Sequence, residues 1–164
     1  MTKAQEKREW KRLYNKCYKL WKECCFARDG KSCQVKKYFP WIDINHSDVI
    51  QVDHAITRMN KWYHLDPSNG TVVCSTCNMH KNNKQYSVDR IIDSIVSKRE
   101  EQKFRVMVEM DFTGKPNLEF KTIGYMERQL VYLGEKWQQF SNKGKKLPSS
   151  PVEHLINPEY FMEG

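Results

Sequence analysis

Near the N-terminus, apolar residues recur at three- and four-residue steps: Trp10, Leu13, Tyr14, Cys17, Leu20, Trp21, Cys24 and Cys25. This spacing predicts an amphipathic helix over about residues 4–28, with Lys and Arg on the opposite face. Arg28-Asp29-Gly30 ends it in a turn. The aromatic stripe reads as core, and the basic face as the one that meets phosphates. No period is evident after residue 31 until Val49-Ile50-Gln51-Val52, a short apolar run leading into Asp53-His54. A turn signal follows at Asp66-Pro67-Ser68-Asn69-Gly70, then a β-branched strand at Thr71-Val72-Val73. Together these read as a hairpin with a long connection over 55–65.

A further helix is expected from near residue 78, with a break at Asn82-Asn83. Ser87 is placed to cap the next helix, in which Val88, Ile91, Ile92, Ile95 and Val96 keep helical spacing to about residue 103. Residues 104–112 alternate apolar and polar, which fits a strand or a continued helix. Gly114-Lys115-Pro116-Asn117 is a turn, and Thr122 caps a last helix carrying Ile123, Met126, Leu130, Leu133 and Trp137. The pattern predicts an α+β chain in four segments. These are a basic helix (1–30), a core (31–103), a strand or helix extension (104–141) and a flexible tail (142–164) ending in Tyr160-Phe161-Met162.

Composition narrows the function. With 164 residues and 39% hydrophobic positions, the chain builds one core, so wholesale disorder is excluded. No apolar run approaches the roughly 20 residues of a membrane span. The first residues lack the apolar stretch of a secretory signal, so a cytoplasmic location is expected. That cytoplasm would be a bacterial host's if a phage encodes the chain. The six cysteines, at 17, 24, 25, 33, 74 and 77, cluster in the first half, which suits metal ligands plus core thiols better than a disulfide framework. Residues 1–37 hold twelve Lys/Arg against four Asp/Glu, while 38–164 hold sixteen of each. The whole net charge of +8 therefore lies in the N-terminal segment, and a polyanion, nucleic acid first, is the expected partner.

Two groups of residues suggest chemistry. Phosphodiester hydrolysis needs an activated water and a Lewis acid on the scissile phosphate. His54 is a candidate base near neutral pH, and Asp53 is a hard oxygen donor suited to Mg²⁺. On a regular strand the two side chains point oppositely, so a bulge or strand end is required to bring both to one phosphate. Cys74-x₂-Cys77 is a zinc half-site. Cys33-Gln34-Val35-Lys36 offers one more thiolate but has Lys where a second Cys belongs. The fourth ligand is then Cys24, Cys25, His46 or His80; alternatively the zinc has been lost and packing holds the knuckle. His46 and His154 have no motif around them and read as incidental, His64 reads as packing, and Cys17 and Cys24 read as buried apolar residues.

Asp53-His54, Asn69-Gly70 before a strand, and Cys74-x₂-Cys77-Asn78-x₂-Lys81 occur in the order found in HNH (His-Me finger) nucleases, and the chain resembles that family over about residues 16–98. Asn78 directly after the second Cys resembles phage nucleases of the endonuclease VII type. Lys16 to Trp21, Arg28-Asp29, Cys33 and Asp66-x₂-Asn69 are similar to NinG-type phage recombination proteins. The resemblance implies a ββα-metal core and hydrolysis of DNA with one Mg²⁺ or Mn²⁺. It makes His54 the general base and gives the cation to Asp53 and Asn78. Asn69 would brace the loop around His54, and Arg58 and Lys81 would contact neighbouring phosphates, with Lys84, Lys11 and Arg12 as further DNA contacts. Branched DNA such as a Holliday junction is the implied substrate, cut by a homodimer. Nicking or homing-type cleavage of linear duplex, and a DNA-binding zinc module without catalysis, are the rival readings.

Overall fold

A computed structural model describes residues 1–56 and 61–142. Helix α1 spans Lys3–Asp29 and opens with a capping box, in which Thr2 accepts from the Gln5 amide and Gln5 accepts from the Thr2 amide. It closes at Gly30, whose φ of 74° suits glycine. Helix α2 is short (Gln34–Tyr38). Strands β1 (Ile50–His54) and β2 (Gly70–Cys74) pair antiparallel, with His54 opposite Gly70 and Asp53 opposite Thr71. Helices α3 (Ser75–Asn82), α4 (Val88–Arg99), α5 (Glu101–Thr113) and α6 (Ile123–Ser141) follow, so the described residues form a mixed fold with a single two-stranded sheet. None of these helices is long and apolar enough to cross a membrane.

Strand β2 is buried along its whole length, and its alternating side chains feed two cores. Val72 joins Leu13, Cys17, Trp21, Met126 and Leu133 between α1, α6 and the sheet. Val73 joins Val35, Ile44, Ile91 and Ile92 on the other face. The apolar stripe of α1 is thus core, as expected. Gly70 lies so close to α1 that a Cβ would collide with Cys25 Sγ and stand 3.0 Å from the Trp21 ring.

The connection entering β2 is buried too, which obliges its backbone carbonyls to find donors. Long side chains from three helices supply them. Trp21 Nε1 donates to Asp66 O, Gln129 Nε2 to Leu65 O, Arg28 to Pro67 O and Gly70 O, and Arg99 to Ser68 O and Gly70 O, at 2.6–3.0 Å. The Asp66 carboxylate caps the turn at Pro67–Asn69 through the Ser68 amide (2.8 Å) and pairs with Lys103 (2.9 Å).

Two local expectations are corrected, and one left open between strand and helix is decided. Helix α3 begins at Ser75 rather than near residue 78, because Cys74 Sγ accepts from the Cys77 amide and acts as the N-cap. Ser87 makes no side-chain cap and sits in the left-handed region (φ 53°), as do Lys84 and Tyr86. Residues 104–112 are helical, not a strand: Phe104, Met107 and Met110 keep a three-residue step within the alternation, and Met107 is fully buried. The 142–164 tail, after Asn142, and Arg58 lie outside the described residues.

Candidate active site

His54 is the last residue of β1, the strand-end position that lets it share a cleft with its neighbour Asp53. Its ring is 2% exposed and sandwiched between the indole of Trp21 (centroids 4.2 Å apart, 16° between planes) and the ring of His64 (4.7 Å, 7°). His54 Nε2 lies 2.8 Å from the backbone carbonyl of His64. A carbonyl only accepts, so Nε2 carries the hydrogen, and in the neutral ring Nδ1 is the basic nitrogen. His64 packs, as expected, and the Tyr14 hydroxyl holds its Nε2 at 2.9 Å.

The cleft has a volume of about 620 Å³ and is lined by Asp53, His54, Asn78, Lys81, Lys84 and Asp89 among others. Asn78 comes from the first turn of α3, and its Oδ1 is buried without a hydrogen-bond partner. A buried amide oxygen left unpaired costs about 1–3 kcal/mol, which makes it a position suited to a ligand. Lys81, one helical turn further on, pairs with the Asp53 carboxylate at 2.5 Å and donates to the His54 carbonyl. The ammonium therefore already sits as a cation against Asp53, rather than extended toward solvent. Burial pushes the Asp93 carboxyl up, with Lys81 opposing it.

Asn69 is wholly buried. Its Oδ1 accepts from the Ile56 amide (2.7 Å), and its Nδ2 donates to Ile56 O (3.3 Å) and Tyr63 O (3.2 Å). One side chain thus ties both ends of the connection that contains His64, the residue whose carbonyl holds His54. Lys11 and Arg12 lie on the exposed side of α1. Arg12 pairs with Glu9, and the Lys11 ammonium lies 5.5 Å from the centre of the Tyr14 ring.

Behind the sheet, Cys33, His46, Cys74 and Cys77 bring four ligand atoms within 4.8 Å of one another. Cys33 precedes α2, His46 lies in the loop before β1, Cys74 ends β2 and Cys77 is in the first turn of α3. His46 Nδ1 is 3.5 Å from Cys74 Sγ and 3.3 Å from Cys77 Sγ, and Cys33 Sγ is 3.7 Å from Cys77 Sγ. A tetrahedral ion with bonds of about 2.3 Å to sulfur and 2.0–2.1 Å to nitrogen has S···S edges of about 3.8 Å and N···S edges of about 3.6 Å. The four residues therefore fit a tetrahedral metal. The Cys33–Cys77 contact pulls the Cys33 thiol down and, with burial, pushes the Cys77 thiol up.

The fourth position of the cluster, open in the sequence, falls to His46. Cys24 Sγ faces Leu133 O and Cys25 Sγ faces Pro67 O in the other core, while His80 bonds Gln85. His46, which the sequence left without a motif, completes the set. The only signal for it was the ligand count: three thiolates need a fourth donor. Its loop is anchored by Ser47 Oγ, which bonds Ser75 Oγ at 2.6 Å and accepts from the Val49 amide.

No protein-family model matches the chain, and neither characterised proteins nor solved structures yield a match.

Proposed function

We propose that this protein is a metal-dependent DNA endonuclease of the HNH type, with β1, β2 and α3 as its ββα-metal core. One observation carries the reading: His54, oriented through Nε2, shares a cleft with Asp53 and with the buried, unpartnered Oδ1 of Asn78. Asp53 and Asn78 would hold one Mg²⁺ or Mn²⁺, which supplies Lewis-acid stabilisation of the scissile phosphate and the departing oxygen. His54 Nδ1 takes the proton of the attacking water as its oxygen bonds to phosphorus, and the bond from phosphorus to the 3′ oxygen breaks. Lys84 sets positive charge along the cleft for a flanking phosphate, and the Lys81 ammonium would have to leave the Asp53 carboxylate to admit the ion and join Lys84. Cys33, His46, Cys74 and Cys77 would hold a structural Zn²⁺, whose role would be to tie α2, the loop before β1 and the start of α3 together rather than to activate water.

The resemblance to phage recombination nucleases makes branched DNA the substrate and a homodimer the working form, since a junction resolvase cuts two strands symmetrically. A cleavage panel of four-way junction, flap, nicked and linear DNA, with Mg²⁺, Mn²⁺ or chelator, tests the reading. The junction should be cut best, only with metal, and His54→Ala and Asp53→Ala should lose about 10²-fold or more in rate while still binding. Equal cutting of linear duplex would replace the resolvase by a nicking enzyme. Full activity in His54→Ala would end the hydrolytic mechanism, and binding without any cleavage would leave a zinc-held DNA-binding module.

A further inference from the structure

A second pocket, of about 300 Å³, opens at the far end of α4 from the cleft. Asp89, at the start of α4, lines the cleft, while Ile95, Lys98 and Arg99, at its end, line this pocket. Ten residues at a rise of 1.5 Å separate Asp89 from Arg99 by about 15 Å. The opposite wall is Tyr38, Phe39 and Trp41, from the end of α2 and the segment after it. Trp41 is 74% exposed and Tyr38 51%, which is unusual for such large rings. Cations interleave with them: Lys98 stands 5.9 Å from the Phe39 ring centre and Lys37 5.2 Å from that of Tyr38. The lining carboxylate, Asp29, is already neutralised by Arg28 and Arg99. Arg99 also has a buried Nε–H with no acceptor.

From these we infer that the pocket binds an unstacked nucleobase of single-stranded DNA, with the base on the exposed face of Trp41, which Phe39 buttresses from the side (centroids 5.3 Å, 58° between planes), and its phosphate beside Lys98. Exposed aromatic faces take any base by stacking, and the surrounding positive charge tracks the backbone. In duplex DNA the bases are stacked on one another and offer no face to Trp41, so the pocket selects unpaired strands. Cys33 immediately precedes α2, so a metal held by the Cys33, His46, Cys74 and Cys77 group would fix the wall that carries these rings. The inference rests on the nucleic-acid part of the proposed function and not on its cleavage chemistry.

The test uses the full chain carrying His54→Ala, titrated with a short oligothymidylate and with blunt duplex of equal length. Tryptophan fluorescence and direct binding are read, with and without Trp41→Ala. The oligomer should quench saturably, and Trp41→Ala should remove that quench and weaken oligomer binding by about 5- to 150-fold, the worth of one stacked base. Duplex binding should change less than about twofold. Circular dichroism checks the fold of the variant, which the exposure of Trp41 should leave intact. Equal weakening toward duplex, unchanged binding of the oligomer, or equal quenching by a free mononucleotide would each overturn the inference. A chain that shows the Trp41 effect yet cuts no DNA keeps this site and loses the nuclease.

Discussion

Replacing Asn69 by Ala tests how the hairpin connection holds the candidate base. The substitution strands the buried Ile56 amide and removes a donor from the carbonyls of Ile56 and Tyr63. An orphaned buried donor costs about 1–3 kcal/mol, and each carbonyl loses a bond worth about 0.5–1.5 kcal/mol net. The expected loss is about 4 kcal/mol, a large share of the 5–15 kcal/mol typical of a domain. For a chain of this size that lowers the melting temperature by roughly 8–16 °C. Urea unfolding should show a lower midpoint with an unchanged slope. Asn69→Asp separates bonding from packing. It fills the same volume and still accepts from Ile56, but sets a buried carboxylate against two carbonyls, so it should be at least as damaging as Ala. Below the melting point both variants should also cut DNA more slowly, because His64 O, which fixes the His54 tautomer, lies in the released segment. A loss under about 1 kcal/mol in Asn69→Ala, or a harmless Asn69→Asp, would refute the bracing role.

Gly70→Ala should cost about 1–3 kcal/mol in thermal melts through overpacking against Cys25 and Trp21; an unchanged melt would contradict the close approach of β2 to α1. Burial pushes the Asp66 carboxyl up, but Lys103 and the Ser68 amide outweigh it and hold it below the usual carboxylate value. A depressed folded pKa stabilises above the unfolded pKa, and that contribution is lost as pH falls through the folded one. Asp66→Asn should therefore be less stable near neutrality and show a shallower loss of stability in acid, read from melts between about pH 2 and 7. Replacing Lys3, Lys7, Arg8 and Lys11 by Gln leaves Trp10 bonded to the Phe120 carbonyl. It should flatten the salt dependence of DNA binding, by about 0.9 in log–log slope for each phosphate no longer neutralised; an unaltered slope would take the basic face of α1 off the DNA.

Periodic signals in the chain read through to the fold because burial enforces them. The stripe from Trp10 to Cys25 and the spacing of Met126 and Leu133 meet in one core, so α1 and α6 lie near their expected positions. Signals that depend on a partner distant in sequence did not read through. Cys74 caps α3 with a thiol, outside the usual capping residues, which moved the start of that helix. The alternation over 104–112 contained a helical step that only packing of Met107 against Ile56, Tyr63 and Val96 selects. His46 has no local motif because its meaning comes from three sulfurs up to 31 residues away. The turn at Asp66–Gly70 was legible as a turn but not as a buried one. Its carbonyls are met by Trp21, Arg28 and Arg99, and that of Leu65 just before it by Gln129, residues whose own neighbours suggest a core indole and surface polar groups. These four donors explain why the connection can be interior at all. They hold the Leu65–Gly70 stretch from α1, α4 and α6, and Asn69 at its end reaches forward to Ile56 and Tyr63. The position of His54 therefore depends on helices on both sides of the sheet. A minimal fragment of hairpin and α3 would carry the cleft residues and the candidate metal ligands Cys74 and Cys77, yet leave the imidazole without the Trp21 indole stacked on it and the connection carrying His64 without the donors of α1, α4 and α6.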